Sequence, residues 1–493
     1  MKMWHGDFFL LLLFRGLQSW YSIEEYLGFP GSNKENEMSL DLITGTTGVL
    51  GLIGNPVRHT LSPLIHNTLS EELGQDLRYL PFPVEEDVAA AVRGAYRLGI
   101  RGLNVTVPHK TAVMEALVDI DEKARIIGAV NTLVRTEGGF KGYNTDMPGL
   151  GRALTQRGIH LAGQQVIVLG AGGASRAVCT LALSEGAESV YLLNRTIENA
   201  KALADDLNPH FPGNRLKPLA ASDYAKVPRI PSIMIQCTSL GLHEGDGLLI
   251  DDDDFYHLAT YGYDLVYNPA VTPFLRKCEG FGIPADNGLS MLLYQGIIAY
   301  ELWTGISVSE QLAERVLTRL KRRLYGENVV LVGYMGCGKS TVGQALAEKT
   351  GRTFLDTDAA IEEAEDCSIR EIFESEGEET FRRMETELLR RLADTAVNTV
   401  IATGGGIVLR EENRKLLTKI GKVIWLSASP ETTLERVKSD SARPLLDSAS
   451  VQELDDKIRS MLTSRGPAYS AASGCKIDTD GKSVEEIVRI LTD

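Results

Sequence analysis

The run Gly333-Tyr334-Met335-Gly336-Cys337-Gly338-Lys339-Ser340-Thr341 constrains this chain more than any other stretch. It fits the spacing G-x-x-x-x-G-K-[ST] and directly follows Val329-Val330-Leu331-Val332, which reads as a buried parallel strand. Thr341 to Lys349 then carries a helical pattern that Gly351 stops. The motif needs this order of strand, loop and helix. Its glycines let backbone N–H groups turn inward around phosphate oxygens, where the helix N-terminus adds partial positive charge. Gly333, Gly336, Cys337, Gly338 and Thr341 then surround the phosphates of a nucleotide, Lys339 reaches the outer ones, and the Ser340 hydroxyl faces Mg²⁺. Such a loop binds a nucleotide but does not name the acceptor.

The remainder of the 493-residue chain narrows the choice. Its length suits about two to four domains of ~100–200 residues, and 43% hydrophobic with 24% charged residues is the balance of a globular protein. A net charge of −15 and the lack of a long basic run argue against nucleic acid as a main partner. The cysteines, Cys179, Cys237, Cys278, Cys337, Cys367 and Cys475, show no C-x-x-C spacing, which argues against a zinc site or a disulfide framework and fits a reducing cytoplasm. Near the start, Phe8 to Phe14 is apolar between Lys2 and Arg15. It is far shorter than the ~20 residues a bilayer span requires, and no small-x-small cleavage site follows. Residues 1–41 therefore read as a poorly ordered leader or an over-extended start with Met38 as a candidate initiator. The alternative is a weak membrane contact or packing segment.

From about Val49 the pattern is regular. Leu50-Gly51-Leu52-Ile53 predicts a strand, Pro63 to Leu73 a helix, and Arg101 to Val107 a further strand halted by Pro108. Strands and helices keep alternating, the signature of an α/β fold. Gln165 to Leu169, the turn Gly170-Ala171-Gly172-Gly173-Ala174-Ser175, a helix through Leu183 and the strand Ser189 to Leu193 form a βαβ unit with a glycine-rich first turn, which predicts a dinucleotide fold. Folds selecting NAD place Asp or Glu roughly 20 residues past those glycines. Here the strand ends in Asn194-Arg195-Thr196, and a cation suits a 2′-phosphate, so NADP is expected over NAD. The acidic run Asp251 to Asp254 reads as a solvated loop. Gly262 to Tyr267 reads as β-like, Leu289 to Tyr300 and about Ser307 to Leu324 as helices. The cluster Lys321-Arg322-Arg323 reads as a helix C-terminus favoured by its own macrodipole. Only Tyr325-Gly326-Glu327-Asn328 then precedes the strand of the phosphate loop.

From about Leu42 to Leu320 the chain resembles shikimate dehydrogenase. The likeness rests on Gly54 to Pro63 (GNPVRHTLSP), Asn104 to Lys110 (NVTVPHK), Gly128 to Thr132 (GAVNT), Asn144-Thr145-Asp146, Gly170 to Arg176 (GAGGASR), Asn194-Arg195-Thr196, Tyr267-Asn268-Pro269, and the helix with Met291 and Gln295. A small polyhydroxylated acid needs neutral hydrogen-bonding groups around it, and Thr60, Ser62, Thr106, Asn131 and Gln295 are of that kind. The resemblance implies that Thr60 and Ser62 meet the carboxylate and that Asn131, Asp146 and Lys110 meet the hydroxyls, with Tyr267 also at the substrate. It implies cofactor contacts at Gly170, Ala171, Gly172, Gly173, Ala174, Asn194, Arg195, Thr196 and Gly288. Lys110 beside Asp146 can hold the ketone oxygen and deliver or relay its proton. Thr60 replaces a usual Ser, Asn199 stands where a second arginine is frequent, Gln236-Cys237 replaces Asn-Ala, and Ser290 replaces a glycine.

From about Asn328 to Asp493 the chain resembles shikimate kinase, on the phosphate loop and on Asp356-Thr357-Asp358, Phe381 to Glu385 (FRRME), Gly404-Gly405-Gly406, Arg443-Pro444-Leu445-Leu446 and Arg465 to Tyr469 (RGPAY). A hydroxylated acid as acceptor calls for an acid at its hydroxyl and arginines at its carboxylate. The resemblance implies Asp358 on the attacking hydroxyl, Arg382, Arg465 and Gly404 to Gly406 on the carboxylate, and Asp356 with Ser340 near Mg²⁺. Arg443 lies in a Ser-, Asp- and Pro-rich segment that suits a lid, its charge offsetting that of the transferred phosphoryl group. No histidine follows His257, so imidazole chemistry is excluded from this half.

The expected architecture is α/β throughout. A substrate-binding domain over 42–145, completed by helices in 288–324, is joined to a Rossmann-type NADP domain over 146–287. A P-loop domain of the nucleoside monophosphate kinase kind follows over 326–493. The expected function is bifunctional: NADPH-dependent reduction of 3-dehydroshikimate, then ATP- and Mg²⁺-dependent phosphorylation of shikimate, on small molecules, without stable membrane insertion, in the cytoplasm. The alternatives are NAD-dependent quinate or shikimate oxidation by the first half, and a regulator that only binds these ligands. The regulator reading sits poorly with the presence of Lys110, Asp146, Lys339 and Asp358 together.

Overall fold

The computed structural model describes residues 43–243, 245–438 and 451–492. The leader and the Arg443 segment lie outside the described residues. Three sheets organise the chain beyond Thr46. In the first, β1 (Gly48–Gly54), β2 (Leu77–Pro83) and β3 (Gly102–Val105) are parallel, and the edge strand β4 (Asp119–Ile120) closes the far side. Between them β5 (Thr132–Thr136) and β6 (Gly139–Tyr143) form a hairpin in which β5 runs antiparallel to β3, giving the order β2-β1-β3-β5-β6-β4.

The second sheet is wholly parallel. It consists of β7 (Gln165–Leu169), β8 (Ser189–Asn194), β9 (Leu216–Ala220), β10 (Ser232–Gln236), β11 (Ala259–Asp264) and β12 (Ala285–Asn287), in the order β12-β11-β10-β7-β8-β9. Helices cover both faces of such a sheet, so its central strands are apolar without alternation, and β7 and β10 are buried at every residue. The order reverses between β7 and β10, the switch point at which doubly wound sheets bind ligands. The third sheet is also parallel, β14-β15-β13-β16-β17, from β13 (Asn328–Val332), β14 (Thr353–Asp356), β15 (Thr399–Ala402), β16 (Gly421–Ser427) and β17 (Cys475–Asp478). The strand that feeds the phosphate loop is central, and all its residues are buried.

Two helices tie the first half together. Asp146–Gln156 packs against Leu289–Thr304 so closely that a Cβ on Gly149 would sit 2.7 Å from Gln295 N. The helix Glu310–Tyr325, capped by Ser309 Oγ accepting from Leu312 N at 3.3 Å, ends at Gly326, and only Gly326 and Glu327 separate it from β13.

Several expectations are corrected. The strand expected over Arg101–Val107 stops at Val105, which leaves Thr106 beyond the strand end and inside a cavity. The β-like stretch at Gly262–Tyr267 is shifted to Ala259–Asp264. The acidic run is not simply a solvated loop. Asp252 caps the short helix Asp253–Tyr256 and accepts from Tyr224 Oη at 2.8 Å, while Lys277 Nζ bridges Asp251 and Asp253 at 2.9 and 2.5 Å. The basic cluster does close its own helix, with Arg322 and Arg323 in the last turn, and Arg322 in addition reaches carbonyls of two other helices.

Behind the first cavity lies an aromatic core. His66 is fully buried and stacked on Tyr79 at 4.2 Å between ring centroids, with Trp303 at 5.1 Å. Burial pulls its pKa down to about 3, against a smaller opposing contribution from the Asn104 side chain. A group with a folded pKa below its unfolded value gives stability that is present above the unfolded pKa, near 6.5, and is lost as pH falls towards 3. Urea unfolding of the first half should therefore weaken below pH 6.5 by up to about 1.4 kcal/mol per pH unit from this residue. His66→Phe, which fills the same slot without a titrating nitrogen, should flatten that part of the slope; identical slopes in the two proteins would contradict it.

Two candidate active sites

The first site is a cavity of about 450 Å³ at the carboxyl ends of β1 and β3. Its lining includes Thr60, Ser62, Thr106, Lys110, Asn131, Asp146, Tyr267, Gly288 and Gln295, so every substrate residue expected for the first half is there. Lys110 Nζ donates to Asp146 Oδ2 at 2.6 Å, and Asn131 Nδ2 donates to Asp146 Oδ1 at 2.8 Å. Asn131 cannot turn over, because its Oδ1 accepts from Thr145 N at 2.8 Å and from the Thr132 and Thr145 hydroxyls. Asp146 is held from behind as well: the N-cap Thr145 makes no side-chain cap, and Asn144 Oδ1, one residue earlier, accepts from the N–H groups of Asp146 and Met147 that open the helix. Both oxygens of the carboxylate are thus aimed before any ligand arrives. At the other wall Thr60 Oγ1 donates to Ser62 Oγ at 3.2 Å and accepts from Ser62 N at 3.2 Å. These hydroxyls stand at the start of the helix Ser62–Glu72.

Sequence reasoning misses Asn104 as a site residue, although it lies within a motif of the resemblance. It lines the cavity, accepts from Tyr79 Oη at 2.7 Å and donates to Asn131 O at 3.2 Å. The available signal is a polar residue inside an otherwise apolar strand.

Beside this cavity Gly170 has φ +104°, and a Cβ there would lie 2.7 Å from Thr238 Cγ2, so the turn after β7 needs glycine. A Cβ at Gly172 or Gly173 would meet nothing within 4 Å. The space before the N-terminus of the helix Gly173–Ser184 is therefore open, a cradle that suits a pyrophosphate. Asn194 ties the turn to the end of β8, its Oδ1 accepting from Ala171 N at 3.2 Å and its Nδ2 donating to Thr196 O at 2.8 Å. Arg195 is exposed beside it. Ala174 lines the cavity, so the cofactor turn and the substrate cavity are contiguous. Gly288 packs on backbone: a Cβ would stand 2.2 Å from Leu265 O. The unusual Gln236 laces its own loop, with Nε2 donating to Thr238 Oγ1 and Leu240 O. Ser290 pairs with Tyr263 Oη at 2.9 Å.

The second site gathers at the carboxyl ends of β13, β14 and β15. Gly333, Gly336 and Gly338 have φ of +151°, +78° and +90°, and a Cβ on Gly333 would press on Leu426 O at 2.2 Å. Lys339, which opens the helix Lys339–Thr350, donates to Gly333 O at 2.9 Å and Tyr334 O at 3.1 Å, so its ammonium lies within the loop's curve. Cys337 is buried beneath the loop and Thr341 is exposed on it. Ser340 Oγ donates to Asp356 Oδ2 at 2.6 Å, and Asp356 Oδ1 caps the next helix through Asp358 N at 3.0 Å. This hydroxyl–carboxylate pair beside the loop is a hard-oxygen set that fits Mg²⁺, which takes few protein ligands. Among the described residues no group of three or more His, Cys, Asp or Glu could hold another metal.

Two of the three glycines after β15, Gly404 and Gly406, work by close approach. A Cβ on Gly404 would lie 2.4 Å from Asp358 Oδ1 and 3.0 Å from Glu385 Oε1, and one on Gly406 would lie 2.4 Å from Arg382 Nη1. Gly404 N already donates to Thr357 Oγ1, and Gly405 O accepts from Arg465 Nη1 at 3.3 Å and from Tyr469 Oη. Sequence reasoning also misses Glu385. It is fully buried, accepts from Arg382 Nη1 at 2.8 Å, and fixes that guanidinium against the glycine turn. Burial pushes its pKa up, Arg382 opposes, and the Asp358 carboxylate adds to the rise. Arg436 is a third such residue: its Nη1 donates to Gly336 O at 3.2 Å and braces the phosphate loop against Thr479. Helical spacing alone cannot tell either residue from a surface charge.

Comparison with known proteins finds relatives of both halves of the chain. The chain fits the family models of the shikimate dehydrogenase substrate binding domain over residues 52–133, shikimate / quinate 5-dehydrogenase over 152–238 and the shikimate 5'-dehydrogenase C-terminal domain over 288–318. Residues 335–493 fit that of shikimate kinase. The NADP⁺-dependent shikimate dehydrogenase of Caldanaerobacter subterraneus is 43% identical over 269 residues, 53% of this chain and 94% of that one. That of Methanothermobacter thermautotrophicus is 42% identical over 56% of this chain and the whole of the other. Among solved structures, a chorismate mutase/shikimate 5-dehydrogenase fusion protein from Clostridium acetobutylicum (TM-score 0.51) and a shikimate 5-dehydrogenase from Listeria monocytogenes (0.52) are each 32% identical. They align with 57% and 56% of this chain, and with 99% and 98% of their own. The chain belongs to the shikimate dehydrogenase family and carries a shikimate kinase domain behind it.

Proposed function

We propose that the first half reduces 3-dehydroshikimate to shikimate with NADPH and that the second half passes the γ-phosphoryl group of ATP to the shikimate 3-hydroxyl. The observation that carries the reading is the Lys110–Asp146–Asn131 contact inside a cavity lined by neutral hydroxyls and amides, the lining a polyhydroxylated acid needs. The domain limits of this reading are 42–145 with helices from 288–324, 146–287, and 326–493, each range with one sheet to support it. The cofactors are NADP(H) and, with ATP, Mg²⁺. No helix among the described residues is long and apolar enough to cross a membrane, and the acidic chain with scattered thiols fits the cytoplasm.

In the first site the Thr60 and Ser62 hydroxyls hold the carboxylate, while Asn131 and Asp146 fix the ring hydroxyls. Gly170 to Ala174 would hold the pyrophosphate of the cofactor, with Arg195 on its 2′-phosphate and Asn194 and Thr196 shaping that pocket. When bound, NADPH supplies hydride to the carbonyl carbon. Lys110 Nζ, held by Asp146, hydrogen-bonds the ketone oxygen and gives it a proton as charge gathers there; Asp146 steadies the ammonium and orients it.

In the second site Asp358 orients the acceptor hydroxyl, and Arg382 and Arg465 hold the carboxylate against the Gly404–Gly406 turn. The loop N–H groups and Lys339 offset charge on the phosphates, Ser340 and Asp356 take the metal, and Arg443 adds a further positive charge. Catalysis is mainly positioning and charge compensation.

Lys110→Ala should lower kcat/KM for ketone reduction at least ~100-fold and leave ATP-dependent phosphorylation intact, and Lys339→Ala should do the reverse. Loss of both activities in either variant would contradict two independent sites. Gly404→Ala drives a methyl into the Asp358 and Glu385 carboxylates, so the shikimate KM of the kinase should rise about tenfold or more, with the ATP KM little changed. Unaltered shikimate KM would remove that turn from the acceptor site.

A further inference from the structure

The helix Glu310–Tyr325 ends the dehydrogenase half, but its last turns face the kinase. Arg322 Nε donates to Ala396 O at 3.0 Å, Nη1 to Lys419 O at 2.8 Å, and Nη2 to Ala393 O at 2.8 Å and Leu392 O at 3.3 Å. These carbonyls are the final turns of two kinase helices, Glu378–Thr395 and Glu411–Ile420. Thr318 Oγ1 donates to Asp394 O at the same end, and Asn328 Nδ2 donates to Ala396 O at 2.8 Å and Ile420 O at 2.9 Å. A helix leaves its last four carbonyls without intrahelical partners and gathers partial negative charge there. A guanidinium, with five N–H donors in a fixed plane, can satisfy two such ends at once. An ammonium on a flexible stem cannot span them.

The helix held in this way is the one that carries the acceptor contacts. Arg382 and Glu385 lie in its first half, and Glu385 fixes Arg382 against the glycine turn. From Leu392 back to Arg382 is roughly 15 Å along the axis at 1.5 Å per residue. The helix is a rod, so a tilt of a few degrees at the clamped end moves the guanidinium by the order of 1 Å, enough to cost ~100-fold in a reaction that depends on alignment.

We propose that Arg322 is a positioning residue for phosphoryl transfer: from the dehydrogenase half it clamps the far end of the kinase helix whose near end holds the acceptor. This rests on the acceptor site read above. The phosphate loop after β13 has a brace of its own in Arg436, which donates to Gly336 O, so loss of the Arg322 contacts should bear first on the acceptor side.

The test uses the full chain, its R322A, R322K and T318V variants, and kinase kinetics with shikimate and ATP varied separately. R322A should raise the shikimate KM about tenfold or more, hold the ATP KM within about twofold, and leave ketone reduction unchanged in the same preparation. R322K should recover part of the shift, and T318V, which loses one hydroxyl from the clamp, should shift shikimate KM less and in the same direction. A general loss of folded protein lowers the apparent kcat without producing this split. Should R322A not fold, R322K and T318V read the same split. Shikimate KM equal to the parent's in these variants, or both KM values rising together, would overturn the clamp. Failure of the unaltered chain to phosphorylate shikimate overturns the functional reading instead.

Discussion

A parallel strand cannot turn straight back to its neighbour, and both sites follow from that constraint. Each crossover carries the chain over a face and returns it to the same starting edge, so the polar turns after the strands collect at the carboxyl edge. In the second sheet this brings Gly170–Ala174 after β7, Asn194–Thr196 after β8, Tyr267 after β11 and Gly288 after β12 to one side. In the third it groups the phosphate loop, Asp356 with Asp358, and Gly404–Gly406, after β13, β14 and β15. The first sheet obeys the rule despite its hairpin. Asn131 immediately precedes β5, which is antiparallel to β3, so it reaches the same edge as Lys110 after β3 and Asp146 after β6.

What the constraint does not supply is the aim of each side chain. That comes from short polar contacts and from absent side chains. Asp146 is aimed by Asn131 and Lys110, and Asn131 is itself held by Thr145. Arg382 is aimed by a buried glutamate and by a glycine that leaves room for its guanidinium. The two halves use the same device on different chemistries: a charged group oriented by a neighbouring side chain or turn.

The units made of strand, glycine turn and helix are legible in the sequence because their information is local. A run of β-branched residues, a spacing of glycines and a helical pattern lie within some 30 residues of one another. Local polar motifs likewise bring out Thr60, Ser62, Lys110 and Asp146, which the fold gathers into one cavity. Asn104, Glu385 and Arg436 are not legible as site residues, since each gains its meaning from a partner that the fold brings to it. The cluster at Lys321–Arg323 shows the limit most plainly. Its cationic character is plain in the sequence, but the helix ends that Arg322 serves lie some 70 to 97 residues further along. The strand expected over Arg101–Val107 is too long because apolar and β-branched residues continue past Val105, where the chain leaves the sheet to form the cavity wall.

The central claim is that one chain performs two successive conversions at two separate sites. The most direct measurement is a single reaction with the purified full-length chain, 3-dehydroshikimate, NADPH and Mg-ATP, following NADPH loss and analysing the products. The account predicts shikimate 3-phosphate and ADP, formed together and in amounts equal to the NADPH consumed. Accumulation of shikimate with no phosphorylated product, or no oxidation of NADPH, would contradict it.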